Sequence, residues 1–385
     1  MLGFNSFLTE SLVTKQLKHL EHAEDHPINV GAAGFEHSVR TLSEVDKALR
    51  GKKSQAKVTV KYDGSPSIVF GHHPENGKFF VASKSAFNVN PKINYSHDDV
   101  EKNHGHAPGL VEKLKSALTH LPKVAPEKGV YQGDLMYTKD DVKEEGGKYH
   151  FKPNTITYSA DKNSSHGKKI GKAQLGVVVH TQYHGKNLQD MEAKFGPSVK
   201  NFSAHSDVHV IDPKGSIDQT KYTEHDRQAF QNEIKKAKDL HKGHDYSHID
   251  SHREHLKTYI NKTVAQGTSP TIEGLRSHIE SRHNSKIENL KSEKGKQKAR
   301  ETRDDALSNF DSSSVPFRKT LQIHKHIQNA KNHLVKALDA NQQFEHKIND
   351  QPTGPEGHVA VIDNMPTKLV NRAEFSRANL LARPR

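Results

Sequence analysis

The feature that most constrains this chain is a change of texture that reverses late. Residues 57 to about 212 read as short strands and turns. VTVKYD, SIVFG, KFFVAS, GVYQGDLMY, ITYSA and LGVVVHTQY are β-branched or aromatic runs bounded by Gly, Pro, Asn and Asp. From about 213 to 348 the chain becomes rich in Lys, Glu, His and Gln, with almost no strand-like run. Then QPTGPEG breaks the pattern and HVAVI resumes a strand. A strand signal that returns after so long a helical stretch points to an insertion into a β-rich domain. The pattern therefore predicts an α+β protein: a core of antiparallel sheets over 53–212 and 349–385, a helical insertion over 213–348, and an N-terminal helical segment over 1–52 packed outside. The alternative is an independent C-terminal helical domain with a stray hairpin.

Within the helical block the spacing predicts four helices, near 223–242, 246–264, 271–308 and 316–347. The last carries a stripe of Ile323, Ile327, Ala330, Leu334 and Leu338. The third is polar over ENLKSEKGKQKARETRDD and is expected to project into solvent. Phe7, Leu8, Leu12, Val13 and Leu17 recur at helical spacing near the N-terminus, and TLSEVDKALRG ends on a glycine suited to a C-cap. VEKLKSALTHL is an amphipathic helix with Val111, Leu114, Leu118 and Leu121 on one side.

Composition narrows the chemistry. There is no cysteine, which removes disulfides, thiolate metal sites and a cysteine nucleophile. No run of about 18 apolar residues offers a membrane span. MLGFNSFLTESL lacks a charged n-region and a long apolar h-region, so a cytoplasmic setting and no membrane partner are expected. The net charge of +12 admits a polyanionic partner without requiring one.

The most informative stretch is VTVKYDGSPSIVFG. A strand ending in Lys61-Tyr62-Asp63-Gly64 puts one amine at the mouth of a β-sheet pocket, and a tight turn lets backbone approach a ligand. Burial or neighbouring cations can make such a lysine a nucleophile. Read alone, the stretch is better taken as an ordinary hairpin with Asp-Gly in its turn and a surface lysine.

In the company of the other motifs, the sequence resembles the covalent nucleotidyltransferases: ATP-dependent DNA and RNA ligases and mRNA capping enzymes. Lys61-Tyr62-Asp63-Gly64 resembles their first motif. FFVASKSAF resembles the short second one, with Ser83 and Lys84. GVYQGDLMY resembles the third, with Asp134 as its carboxylate, and LGVVVHTQY the strand that follows it in the pocket wall. PEGHVAVI resembles the fourth, with Glu356, and TKLVNRAEF supplies Lys368 for the fifth. All lie in the family's order, over about 57–185 and 352–375. The resemblance implies a nucleotidyltransferase fold and ATP as the substrate. Lys61 would take AMP from it, Lys84 and Lys368 would lie beside the α-phosphate, and Asp134 and Glu356 would hold Mg²⁺. Asp63 and Gly64 would shape the loop around the nucleotide. Nucleic-acid ends, RNA favoured over DNA, are the implied acceptor.

Several positions depart from the family pattern. Pro66 stands where many DNA ligases have Arg, and the Gly64-Ser65-Pro66 run is nearer to phage-type RNA ligases. Asp134 replaces the usual Glu. Lys368 is followed by Leu369 and Val370 instead of a second spaced lysine. The chain ends 17 residues beyond Lys368, with no room for the C-terminal OB domain of DNA ligases and capping enzymes. The whole chain also resembles a family from large tailed bacteriophages, in its KYDGSP and VVHTQY blocks. That implies a phage origin, with the infected host cytoplasm or the virion as its setting, and supplies no activity. A second class of function stays open beside the enzyme: a non-catalytic phage nucleic-acid-binding or virion protein that keeps the scaffold.

His244, His248, His252 and His255 share one face if helical, a spacing that can bind Zn²⁺, although a solvated polar face is the favoured reading. His180, on a pocket strand, is either a core histidine or a group that reaches a ligand. The basic stretch from Lys286 to Arg303 can follow a phosphate backbone, but acids interrupt it and it has no aromatics.

Overall fold

Alternation along the strand-like runs decides the architecture. In SIVFG, Ile68 and Phe70 point to one side and Val69 to the other, and all three are fully buried. A strand apolar on both faces needs cover on both. The structure is a computed structural model and describes residues 20–196, 199–214, 217–340 and 342–373. The expected helical spacing of Phe7 to Leu17 lies outside these residues.

The described chain forms two compact units. The first comprises Gln55–Asp218 and Leu338–Pro366 and holds three sheets. Its largest sheet runs β10 (Glu192–Phe195), β9 (Leu175–His184), β5 (Val130–Thr138), β2 (Ser67–His72), β3 (Phe79–Ala82) and β4 (Ile93–Asn94). β11 (Val208–Ile211) pairs parallel to β9, and the other pairings are antiparallel. On one face, Ile68, Phe70, Tyr131 and Val177 pack with Val111 and Leu114 of helix α3 (Pro108–His120) and Val100 of α2 (His97–His104). On the other, Val69, Phe80, Val130, Tyr183, Leu188 and Met191 form a second apolar cluster. The predicted amphipathic helix is thus α3, with Val111 and Leu114 buried as its spacing requires.

A second sheet runs β13 (Gln351–Pro352), β12 (Glu345–Ile348), β8 (Thr157–Asp161), β7 (Lys148–Phe151) and β6 (Lys143–Glu145). It packs through aromatic side chains: Phe151 stacks on Tyr158 at 5.5 Å, and Phe344 meets Phe151 edge-on at 5.8 Å. A short helix, α4 (Ser165–Lys172), follows β8. The third sheet is β1 (Lys57–Lys61), β14 (Gly357–Ile362) and β15 (Met365–Leu369), and here the returning strand finds its partner. The α+β class with antiparallel sheets is therefore what the chain adopts.

The second unit comprises Glu21–Ser54, Gln219–Ala337 and Thr367 onward. This differs from the expected three-part division: the N-terminal helix and the helical block belong to one unit, and the chain re-enters the β-rich unit at Leu338 instead of 349. α1 (His26–Leu49) starts it, with Gly51 at φ +66° after its end, as TLSEVDKALRG predicts. α5 (Glu224–His241) and α6 (Arg253–Gln266) follow. The expected single helix over 271–308 is two packed helices, α7 (Ile272–Glu288) and α8 (Glu293–Ser312). Ser292 causes the break: its hydroxyl accepts from the Gly295 N–H at 3.1 Å and starts a new helix. α9 (Ser314–Asp339) buries all five residues of its predicted stripe. No described helix is long and apolar enough to cross a membrane.

Charges are buried at the centre of this unit. Lys331 and Glu24 are both fully buried and meet through two hydrogen bonds of 2.7 and 2.9 Å. Beside them the Asp25 carboxylate accepts from Arg372 at 3.1 and 3.2 Å and lies 3.1 Å from His324. Removing one partner leaves a bare buried charge, so Lys331→Ala is expected to cost about 3–5 kcal/mol. A urea denaturation curve of the second unit measures it.

The histidines give a second prediction. Burial pushes His22 down to about 3 and His26, His244, His255 and His346 down to about 4. These groups stay neutral in the fold but take up protons near 6.5 when unfolded. Their stability contribution is complete above about pH 6.5 and is lost as pH falls toward 4. The melting temperature should therefore drop between pH 7 and pH 5, and a flat profile over that range contradicts the assignment.

Candidate active site

Lys61 is the last residue of β1, and β1 pairs with β14 in the register Lys61↔Gly357. That register sets Glu356 beside Lys61, and the two side chains form an ion pair, Lys61 Nζ to Glu356 Oε1. Gly357 sits at φ +142°, a conformation open to glycine and strained for other residues, so the Glu-Gly order is required by the backbone.

Asp134 comes from β5, opposite Ser67 of β2. It shares a face of the sheet with Val130 and Gln132. A bulge in the β5–β9 ladder, where Gln132 pairs Thr181 and Gly133 pairs Val179, leaves His180 without an opposite residue. The bulge sets His180 Nε2 3.6 Å from Asp134 Oδ2, while its Nδ1 lies 2.8 Å from the Thr181 hydroxyl. A polar chain backs this arrangement: Tyr183 donates to Gln132 at 2.7 Å, and Gln132 donates to Ser67 at 2.9 Å. Ser67 in turn bonds Asp134.

The electrostatics tie these groups together. Burial works to raise the Asp134 carboxyl, but His180, the Ser67 hydroxyl and the Lys61 ammonium outweigh it and hold it below the usual range. Glu356 moves the other way. Burial pushes it up, Lys61 only partly opposes this, and the charges of Asp63 and Asp134 add to the rise. Lys61, Asp134 and Glu356 thus share one site, and His180 joins them. The sequence left His180 undecided; the bulge that aims it leaves no mark in composition or spacing. Glu356 Oε2 is buried without a hydrogen-bond partner. An orphaned carboxylate oxygen beside a second carboxylate is what a hard divalent cation would satisfy. Asp134 and Glu356 are the residues here that would hold such a cation.

The other predicted residues have different placements. Asp63 is buried and spends its carboxylate on structure: it accepts from Asn154 Nδ2 at 2.8 Å, Thr155 N at 2.7 Å and Ile156 N at 3.1 Å. It shapes the loop after β1 and is not free to ligate. Gly64 lets that loop touch β5, and the Ser65-Pro66 peptide beyond it is cis. Ser83 caps a short 3-10 turn by accepting from Ser85 N at 3.2 Å, and Lys84, the first residue of that turn, is exposed. Lys368 lies on β15, in the second unit, where its N–H donates to Glu21 O at 2.8 Å. Of the predicted charged residues, the structure therefore brings together Lys61, Asp134 and Glu356.

The four-histidine set is not a solvated helical face. Only His255 lies within α6; His244 and His248 both bond the Thr320 hydroxyl at 3.0 Å, and His252 is buried against Phe310 and Phe317. Among the described residues, no group of three or more His, Asp or Glu side chains is arranged as a metal centre. The Lys286–Arg303 stretch is largely exposed and is internally paired, as in Lys296–Glu293 at 3.3 Å.

A family model described as "Family of unknown function (DUF6267)" matches residues 17–383, so the chain belongs to that family. No curated protein and no solved structure matches it.

A Cβ at position 64 would meet Asp134 Cβ at 2.6 Å and Leu135 O at 3.1 Å. Gly64→Ala is expected to push Asp134 away from His180 and to destabilise the first unit by about 1–3 kcal/mol, the usual cost of overpacking. Equilibrium denaturation checks the magnitude.

Proposed function

We propose that the protein is an ATP-dependent covalent nucleotidyltransferase that joins nucleic-acid ends, RNA in preference to DNA. The observation that carries this reading is the convergence of Lys61, Asp134 and Glu356, with one buried Glu356 oxygen that no protein group satisfies. The motif order in the sequence supplies the rest of the support.

In this reading Lys61 is the nucleophile. It must shed a proton before it attacks, and Glu356, in contact with it and raised by burial, is the group placed to take that proton. The nitrogen lone pair then forms a P–N bond to the α-phosphorus of ATP. The bond to the β-phosphate oxygen breaks, pyrophosphate leaves, and AMP remains on Lys61. Mg²⁺, when bound, supplies Lewis-acid stabilisation of charge on the phosphate oxygens. Asp134, kept ionised by His180 and Ser67, stays negative to hold it. A nucleic-acid 5′-phosphate would next displace Lys61 from AMP, and a 3′-hydroxyl would displace AMP to close the strand. Asp63 contributes by fixing the loop that sets where Lys61 stands.

Incubation with [α-³²P]ATP and Mg²⁺ followed by denaturing electrophoresis tests the reading. Label should appear on the wild-type chain and vanish in Lys61→Ala. Asp134→Asn should lower labelling about 10²-fold or more, as removal of an electrostatic partner does in such sites. Absence of label with ATP, GTP and NAD would sink the covalent mechanism and leave the non-catalytic scaffold. Nicked DNA, nicked RNA and 5′-phosphorylated single strands then separate the acceptors.

A further inference from the structure

The first unit holds a cleft of about 330 Å³ between α4 and the segment 199–210. It shares no lining residue with the Lys61 cluster. Lys168, Lys169 and Lys172 of α4 line one side, Ser203, His205 and Ser206 the other, and no carboxylate lines it. The acidic residues nearby in sequence are already engaged. Asp207, the one acid of the 199–210 segment, is held by Lys123 at 2.5 Å, faces His120 at 3.6 Å and His205 at 3.8 Å, and accepts from the Ser206 hydroxyl at 3.4 Å. Asp161, just before α4, accepts from Asn163 N at 2.7 Å.

Imidazoles form the inner wall of the cleft. His209, buried, lines it; its Nδ1 lies 2.9 Å from the Tyr137 hydroxyl and its Nε2 3.2 Å from His166 Nδ1. Burial pushes His209 down to about 3, and the positive charge of Lys169 lowers both it and His166 further. The Lys169 ammonium therefore acts on the inner wall. Three lysines stand together, among the described residues in no ion pair, over a wall of neutral imidazoles and hydroxyl groups. Such a field is balanced by an anion rich in acceptor oxygens.

We propose that this cleft is a second anion-binding site and takes a phosphate group. Phosphate oxygens accept from the lysine ammonium groups and the Ser203 hydroxyl, and the site stands independently of any chemistry at Lys61. The test follows the ring signals of His166 and His209 in the full chain, ¹⁵N-labelled at histidine, during titration with inorganic phosphate at ionic strength held constant with chloride. Both signals should move saturably. The Lys169→Gln/Lys172→Gln double variant should bind about tenfold more weakly or worse, the loss expected for charge-assisted hydrogen bonds, with its melting temperature unchanged because these side chains are exposed. If that variant melts early, single Lys172→Gln serves in its place. Lys61→Ala should bind phosphate as the wild type does. An oligonucleotide with a 5′-phosphate, compared with its 5′-hydroxyl counterpart, identifies the source: tighter binding of the first than of inorganic phosphate assigns the site to a strand end, and equal binding assigns it to free phosphate. Unmoved signals, an equal response to chloride alone, or undiminished binding in the lysine variants would overturn the proposal.

Discussion

The pairing of β1 with β14 is the constraint on which the candidate site rests. Thr59 donates to the Val359 carbonyl at 3.4 Å across 300 positions of sequence. The same ladder, in one register, puts Glu356 against Lys61. A one-residue slip would turn alternate side chains to the opposite face and separate the pair. Closing so long a loop costs entropy, but the cost grows only logarithmically with length. The intervening helices form a folded unit of their own, so they need not behave as a slack loop.

Around that ladder the molecule buries carboxylates and then satisfies them. Asp63 answers three donors of the 154–156 turn, and the Tyr158 hydroxyl answers its N–H at 2.7 Å. In the helical unit Lys331 and Glu24 answer each other with no exposure at all. Buried ion pairs add little net stability over apolar packing, and their breakage is expensive. They fix which segments must meet. Against this background the unpartnered Glu356 oxygen stands out, because its neighbours show that the fold can satisfy buried carboxylates where it holds them for structure.

Much of this was legible in the sequence, for identifiable reasons. SIVFG and LGVVVHTQY are legible as strands because they are short β-branched and aromatic runs bounded by turn residues, the composition of a strand covered on both faces. The Ile323–Leu338 stripe marks α9 by its helical period. Proximity of Lys61 and Glu356 followed from motif order, since pairing register cannot be read from one strand alone. What stayed hidden depends on geometry that local pattern does not encode. The bulge that aims His180 is one residue of misregister. The Ser292 break hides in a run with good helix formers on both sides. The burial of His252 arises from Phe310 and Phe317, which are distant in sequence. The turn that leads into α1 is tied to the helical block by Glu24 and Lys331, each an ordinary surface type when read singly.

The late arrival of β14 has a consequence during synthesis. Every strand of the largest sheet precedes residue 212, so that sheet can close while the ribosome is still making the helical block. β1 cannot do the same. It stands at an edge of its own sheet, and its ladder partner is translated only after the helices are complete. Until then the nascent chain carries an open strand edge, the kind of surface that recruits foreign strands or chaperones. Lysines at both ends of that strand, Lys57 and Lys61, are suited to keeping it apart from other chains while it waits. Lys61, a charge at the end of that waiting edge, is also the residue the β14 ladder sets against Glu356.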